Sequence, residues 1–153
     1  MTDTPRHDLA TVTVARTYPA PQPRVFAALT TRAAMQVWGR PADTFRTSID
    51  PFDFREGGVA VWRMDPGDGA RWINEDRYQE IRPDARIILT SALRHKGLLL
   101  FAGVVVMTLT PDGAGTRLTL DEHGCFPDGR DAAAMHEIGW GQVLDQIGTC
   151  LKG

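Results

Sequence analysis

Turn signals divide the chain between residues 45 and 123 into short segments that have the composition of β-strands. The strongest turn signal is Asp65-Pro66-Gly67-Asp68-Gly69, and Pro111-Asp112-Gly113-Ala114-Gly115 marks a second turn of the same kind. Because strands joined by short turns pair with their neighbours in sequence, this pattern predicts an antiparallel meander of about six strands. The meander is the main constraint on the fold.

Two short helices are predicted between an initial strand and this meander. The segment from Leu9 to Thr17 alternates and is rich in threonine and valine, which is typical of a strand, and prolines end it. Proline also suits the first turn of a helix, and apolar residues then follow at helical spacing. We therefore predict helices near 21–29 and 31–38, the second capped by Gly39.

The last segment, from Asp131 to Leu151, is predicted to be a long helix with one apolar side. Three glycines, Gly139, Gly141 and Gly148, each weaken such a helix by about 1 kcal/mol relative to alanine. We expect docking of the apolar side on the sheet to offset this cost. That side consists of Ala133, His136, Trp140, Val143, Leu144, Ile147, Cys150 and Leu151.

Together these segments predict an α+β fold. A curved antiparallel sheet of about six or seven strands would wrap around the long C-terminal helix, with the two short helices after the first strand. We expect a single domain over residues 9–152 and a flexible N-terminus over residues 1–8. This geometry leaves a cavity between the sheet and the C-terminal helix.

The composition is that of an ordinary globular domain, with 153 residues, 42% hydrophobic residues and a net charge of −2. The absence of a basic balance argues against nucleic-acid binding. Cys125 and Cys150 have no zinc-binding spacing, so we expect neither a metal site nor a cofactor. The polar N-terminus has no signal segment, and the longest apolar run, Gly97 to Met107, is shorter than the about 20 residues of a membrane span. We therefore expect a cytoplasmic protein that does not bind membranes.

Several short motifs, taken in order, resemble those of one superfamily. Over roughly residues 12–151 the chain resembles the START-like, helix-grip (SRPBCC) superfamily, which includes polyketide-cyclase and lipid-transfer relatives. Within it, the chain is most similar to the family named after homologues of the activator of the ninety-kilodalton heat-shock ATPase. The motifs are Ala20-Pro21, Val25-Phe26, Trp38, Phe52-Asp53-Phe54-Arg55-Glu56-Gly57-Gly58, Arg77-Tyr78-Gln79-Glu80-Ile81, Gly115-Thr116-Arg117-Leu118-Thr119-Leu120 and Glu122-His123-Gly124.

The resemblance implies a helix-grip fold but transfers no catalytic residues, because the shared motifs are structural. Members of the family include ligand binders, stress-related proteins and chaperone activators. Fold membership does not choose among these functions.

Aromatic residues are the main candidates for the wall of the predicted cavity. Trp140 lies on the inner stripe of the last helix, where it would face Trp62 or Trp72 across the cavity. Simple filling of the core is the alternative for each tryptophan. The predicted ligand-binding residues are Trp38, Phe54, Trp62, Trp72, Asp76, Tyr78, Phe101, His136 and Trp140.

Asp76 and Tyr78 share one face of the strand predicted from Arg71 to Ile81. If this face lines the cavity, Asp76 could act as a base with a raised pKa and Tyr78 as a proton donor. Glu75 and Arg77 occupy the other face, and the sequence does not decide which of the two faces is inside.

The remaining titratable residues give weaker signals. His136 lies near the start of the last helix without an evident partner group, so we expect solvent or the backbone to be its partner. Glu122 and His123 are adjacent on a strand and therefore point to opposite faces, which rules out a dyad between them. Cys125 has no evident base beside it and is expected to be a half-buried structural thiol.

These observations predict a protein that binds a small apolar or amphipathic molecule between the sheet and the last helix. A chaperone-activator-like, protein-binding module of the stress response is one alternative, and it needs an exposed patch. A cyclase- or hydrolase-type enzyme is the other, and it needs Asp76 or His136 inside the cavity with a shifted pKa. A homodimer remains open, since nothing in the sequence locates an interface.

Overall fold

The computed structural model describes residues 4–152, which form seven strands and three helices. The strands make one antiparallel sheet in the order β1-β7-β6-β5-β4-β3-β2, and this arrangement confirms the predicted α+β, helix-grip fold. In chain order the elements are β1 (His7–Tyr18), α1 (Gln22–Thr30), α2 (Arg32–Trp38), β2 (Arg46–Phe52), β3 (Val59–Asp65), β4 (Trp72–Arg82), β5 (Arg86–His95), β6 (Leu98–Asp112), β7 (Gly115–Pro127) and α3 (Ala133–Lys152).

Helix α3 docks along β1 and contacts both short helices. Its Leu144 and Ile147 side chains are fully buried, and burial of each contributes about 1.5–3 kcal/mol. The two together match or exceed the combined helical cost of the three glycines, about 1 kcal/mol each. One of these, Gly148, also allows the ring of Tyr18 on β1 to approach, since a Cβ there would lie 3.3 Å from Tyr18 Cε1.

The short helices close one end of the sheet. Helix α2 ends at Trp38, and Gly39 caps it by donating its N–H to the carbonyl of Met35 at 2.8 Å. The indole of Trp38 donates to the carbonyl of Ala28 on α1 at 2.9 Å, which ties the two helices together.

Three boundaries differ from those predicted. Strand β2 continues through Asp50-Pro51, although such a dipeptide is typical of turns, and its register with β3 shifts there. Helix α3 begins at Ala133 because the carboxylate of Asp131 accepts the N–H of Ala132 just before it. Strand β1 begins at His7, which pairs with Pro127.

The N-terminal segment predicted to be flexible therefore overlaps β1 at residues 7–8, while residues 1–3 lie outside the described part. The single domain over 9–152 stays a prediction. Among the helices of residues 4–152, none is long and apolar enough to cross a membrane.

Candidate functional site

Strand β4 turns its Asp76 and Tyr78 side chains toward the concave face of the sheet. These two residues are 8% and 3% exposed, whereas Glu75 and Arg77 are exposed on the opposite face. This answers the question that the sequence left open. The same alternation places Trp72 on the concave face, at the end of the strand.

Neutral donors hold the Asp76 carboxylate in place. Trp62 on β3 donates its indole N–H to Asp76 Oδ2 at 3.1 Å, and the Asn74 amide donates to Asp76 Oδ1 at 2.7 Å. The Ser91 hydroxyl on β5 donates in turn to Asn74 Oδ1 at 3.0 Å. Three neighbouring strands thus contribute to one buried polar network on the floor of the concave face.

The pKa of Asp76 is raised to about 6, because burial disfavours the charged carboxylate and the neighbouring hydrogen-bond donors only partly oppose this. The negative charge of Glu122 raises it further. Asp76 and Glu122, which come from strands three positions apart in the sheet, therefore interact electrostatically across the concave face.

A second polar network joins β7 to the start of α3. His136 Nδ1 lies 2.6 Å from Glu122 Oε1, and His136 Nε2 lies 2.7 Å from Asp131 Oδ2. Trp140, one turn further along the helix, donates its indole N–H to Glu122 Oε2 at 2.9 Å. The expectation of a solvent or backbone partner for His136 was wrong, since two carboxylates hold its ring.

Burial lowers the pKa of His136, but the hydrogen bonds and charges of Asp131 and Glu122 outweigh this effect and raise the pKa to about 9. The imidazole is therefore protonated at neutral pH and serves as the cation between two carboxylates. Within residues 4–152 no three His, Cys, Asp or Glu side chains are arranged so that they could hold a metal ion.

Two glycines make room for Phe101 beside this network. A Cβ at Gly103 or at Gly124 would lie 2.7 Å from the Phe101 ring. The ring centroid of Phe101 lies 4.9 Å from the centroid of His136 and 5.0 Å from that of Phe126. Phe101 is thus a packed wall between the sheet and the first turns of α3.

The other predicted aromatic residues fall into three places. The rings of Phe54 and Tyr78 meet edge to face at 4.9 Å. Trp38 packs on Trp62 at 5.3 Å in the core near α2, away from α3's first turns, and serves mainly to join the short helices. Trp72 lies against His95 at 4.1 Å at the end of the sheet and does not join either polar network.

The concave face between these networks is not sealed from solvent. Asn74, Ser91 and Leu93 lie on central strands and point inward, yet each is only half-buried, as is Trp140 opposite them. We call this region the cleft and define it by Trp62, Asn74, Asp76, Ser91, His136 and Trp140. A separate groove of about 410 Å³ lies between β1 and the C-terminal half of α3, where no site was predicted.

The sequence analysis missed Glu122 and Asp131 as site residues. Glu122 continues the inward series of Leu118 and Leu120 along β7, so its alternation with apolar neighbours was an available signal. The sequence analysis places Asp131 only as the first residue of the predicted last helix. Its partnership with His136 depends on a loop conformation that spacing does not reveal.

Comparisons with known proteins agree with this fold. A structure of the Rhizobium loti protein Mll3558 is 35% identical, with a TM-score of 0.84, and the match covers 94% of this chain and 98% of that one. A Rhizobium leguminosarum protein is 24% identical over 98% and 99% of the two chains, with a TM-score of 0.88. The Chromobacterium violaceum protein CV1439 is 26% identical over 94% and 97%, with a TM-score of 0.81.

No protein of curated function matches the chain. The family model described as "Activator of Hsp90 ATPase homolog 1-like protein" matches residues 19–152, which is most of the sequence. The resemblance stated from the motifs is thereby confirmed. The chain belongs to the family of Activator of Hsp90 ATPase homolog 1-like proteins.

Proposed function

We propose that this protein binds a small amphipathic molecule in the cleft between the concave face of the sheet and α3. The observation that carries the proposal is a buried carboxylate, Asp76, on a floor that solvent reaches beside large aromatic side chains. Ligand sites combine apolar walls with a few placed polar groups in this way. Proteins of this fold family commonly bind hydrophobic ligands, which supports the proposal.

The two sides of the cleft offer different groups to a ligand. The half-buried Trp140 offers apolar surface near α3, and the network around Asp76 offers hydrogen-bonding groups near β4. A ligand with an apolar body and one polar end would match both sides. The predicted residues Trp38 and Trp72 would contribute less, since one is in the core and the other is at the sheet's end.

The neutral naphthalene dye prodan, whose fluorescence depends on polarity, is a suitable probe. We expect saturable blue-shifted emission with the wild-type protein and loss of it in Trp140→Ala. Trp72→Ala removes the same side chain outside the cleft and is the matched control, which should bind as the wild type does. Equal binding by both folded variants, or no saturable emission with the wild type, would contradict the proposal.

One surface feature favours a second function, docking to a chaperone. Met135 and Ile138 on the outer side of α3 are 61% and 57% exposed, which is unusual for large apolar side chains. The test is the ATPase rate of a purified ninety-kilodalton heat-shock protein with and without this chain. Stimulation that the double variant Met135→Ser, Ile138→Ser loses would support this function, and no stimulation would count against it.

Catalysis of cyclase or hydrolase type remains an alternative within the same cleft. An enzyme of this type needs a titratable group inside the cleft with a shifted pKa. Asp76 and His136 both have raised pKa values there. Cytoplasmic location and a homodimer stay predictions.

A further inference from the structure

The two buried carboxylates on the concave face differ in one respect. Glu122 is paired with the imidazolium of His136, whereas within residues 4–152 no arginine, lysine or histidine forms a salt bridge with Asp76. The side chains that donate hydrogen bonds to Asp76 are those of Trp62, Asn74 and Ser91, and all three are neutral. Asp76 is therefore a buried acid without a counter-charge.

Such an arrangement is unfavourable for folding, since a buried charge is normally compensated by an opposite charge. The donors from Trp62 and Asn74 orient the carboxylate but do not neutralise it. A carboxylate can accept about four hydrogen bonds, and the donors of Trp62, Asn74 and Ser91 leave part of that capacity free. The side chain is thus positioned, but its charge is not compensated by the protein.

The surroundings reinforce the negative character of the cleft. With His136 protonated, the charges of Asp76, Glu122, Asp131 and His136 add to a net charge of about −2 when all three acids are ionised. Aromatic rings lie beside these groups, since the indole of Trp62 donates a hydrogen bond to Asp76 and that of Trp140 donates one to Glu122. Aromatic faces attract organic cations as well as apolar groups.

We propose that the ligand of the cleft carries a protonated amine, which binds the Asp76 carboxylate while the apolar body of the ligand packs against Trp140. The inference rests on the proposed binding function and names the chemical class of the ligand. Asn74 and Ser91 next to Asp76 are only half-buried, so solvent reaches the groups that flank the carboxylate. An anionic ligand is disfavoured by the same charges.

The test compares three probes that share one apolar body and differ only in the polar end: phenylbutylamine, phenylbutanol and phenylbutyrate. Calorimetric titration near neutral pH should give the tightest binding for the amine, at least about tenfold tighter than for the alcohol, which corresponds to about 1.4 kcal/mol. The carboxylate should bind most weakly. This ranking is measured on the unaltered protein and does not depend on any variant folding.

Two variants then assign the preference to Asp76. Asp76→Asn should reduce the affinity for the amine to that for the alcohol, while the affinity for the alcohol is kept. Asp145→Asn removes an exposed carboxylate on α3, 66% exposed and paired with Arg16, and should leave the ranking unchanged. An equal loss in both variants would mean a general effect of protein charge and would overturn the role of Asp76.

The outcomes separate this inference from the function on which it rests. If prodan and the alcohol bind but the amine has no advantage, the amine proposal is overturned and the binding function stands. If neither prodan nor any of the three probes binds, both are overturned. If phenylbutyrate binds best, the cleft is selective for anions and the inference is wrong.

Discussion

The imidazole of His136 on α3 lies 2.6 Å from the carboxylate of Glu122 on β7, so the helix is tied to the sheet by an ion pair as well as by apolar packing. Both side chains are largely buried, at 12% and 4% exposed. Asp131 accepts the other ring N–H, which leaves the imidazolium with no free donor. This bond fixes the first turns of α3 over the cleft and places Trp140 beside Glu122.

We predict that His136 stabilises the fold in a pH-dependent way. Its pKa of about 9 in the folded state lies above the unfolded value of about 6.5, so its contribution is complete below pH 6.5 and is lost as pH rises through about 9. His136→Gln should lower the free energy of unfolding by about 3 kcal/mol near pH 6. The measurement is urea unfolding of both proteins at several pH values.

The difference in unfolding free energy between wild type and His136→Gln should narrow as pH rises from about 6.5 to about 9, because over this range the unfolded imidazole loses its proton while the folded one still holds it. Glu122 and Asp131 are the charged groups that face the ring, and both are present in the variant. A gap of constant size from pH 6 to about 10 would show that the ring acts through packing alone.

Asp76 is predicted to have the opposite effect on stability, since its ionisation lowers the free energy of unfolding. Its pKa is raised from 3.8 to about 6, so the fold is most stable below pH 3.8 with respect to this group and loses that stability as pH rises through about 6. The free energy of unfolding of the wild type relative to Asp76→Asn should fall by about 3 kcal/mol between about pH 3.5 and 7. Chemical unfolding across this range measures the difference.

The comparison with Asp76→Asn removes the contribution of groups that titrate alike in both proteins. The variant also exchanges one acceptor oxygen for an amide near the Trp62 and Asn74 donors. This exchange changes the free energy of unfolding by the same amount at every pH and therefore does not alter its dependence on pH. Parallel curves for the two proteins would mean that Asp76 titrates normally.

The helix-grip fold could be predicted from the sequence because its signals are local. Turn residues such as Asp65-Pro66-Gly67 set the strand boundaries, and apolar spacing set the face of α3 that is buried. The register of β4 could not be predicted in this way. Both of its faces mix apolar and charged residues, and the donors that accommodate Asp76 inside include Trp62, which lies on another strand.

The same reason explains the missed partner of His136. Glu122 precedes it by 14 residues, across a loop whose path is set by tertiary contacts. Asp131, the other partner, lies five residues before His136, which is not a spacing that places two side chains on the same side of a helix. The inward alternation of Leu118, Leu120 and Glu122 signalled a buried carboxylate but not which group would neutralise it.

Two glycine-to-alanine substitutions are predicted to have opposite effects on stability. At Gly124 a Cβ would lie 2.4 Å from the carbonyl oxygen of Ala102 and 2.7 Å from the Phe101 ring, so the sheet or the ring must move. Gly124→Ala should lower the free energy of unfolding by about 1–3 kcal/mol. At Gly139 on α3 a Cβ would meet no other atom within 4 Å.

Gly139→Ala should therefore raise the free energy of unfolding by about 1 kcal/mol, the difference in helix propensity. Urea unfolding of the two variants and the wild type under one condition gives both values. Stabilisation by Gly124→Ala would mean that Phe101 is not packed on the two glycines. A loss of stability in Gly139→Ala would mean that this side of α3 is covered.

The affinity for phenylbutylamine is predicted to rise with pH, because an ammonium group binds the ionised form of Asp76. With a pKa of about 6, the ionised fraction of this carboxyl grows about tenfold between about pH 5 and 7. The amine itself stays protonated across this range, as a lysine side chain does. Calorimetric titration should show an increase of about tenfold in affinity, and phenylbutanol should show no comparable change.

The other titratable groups that face the cleft do not reproduce this effect. His136, with its pKa of about 9, stays protonated between about pH 5 and 7, and it engages Glu122 and Asp131 throughout. Burial raises the pKa of Tyr78, so its phenol stays neutral. Asp76→Asn should therefore flatten the pH dependence of amine binding, and Asp145→Asn should retain it. If the affinity of Asp76→Asn for the amine still rises with pH, another group is responsible for the pH dependence, which contradicts the role given to Asp76.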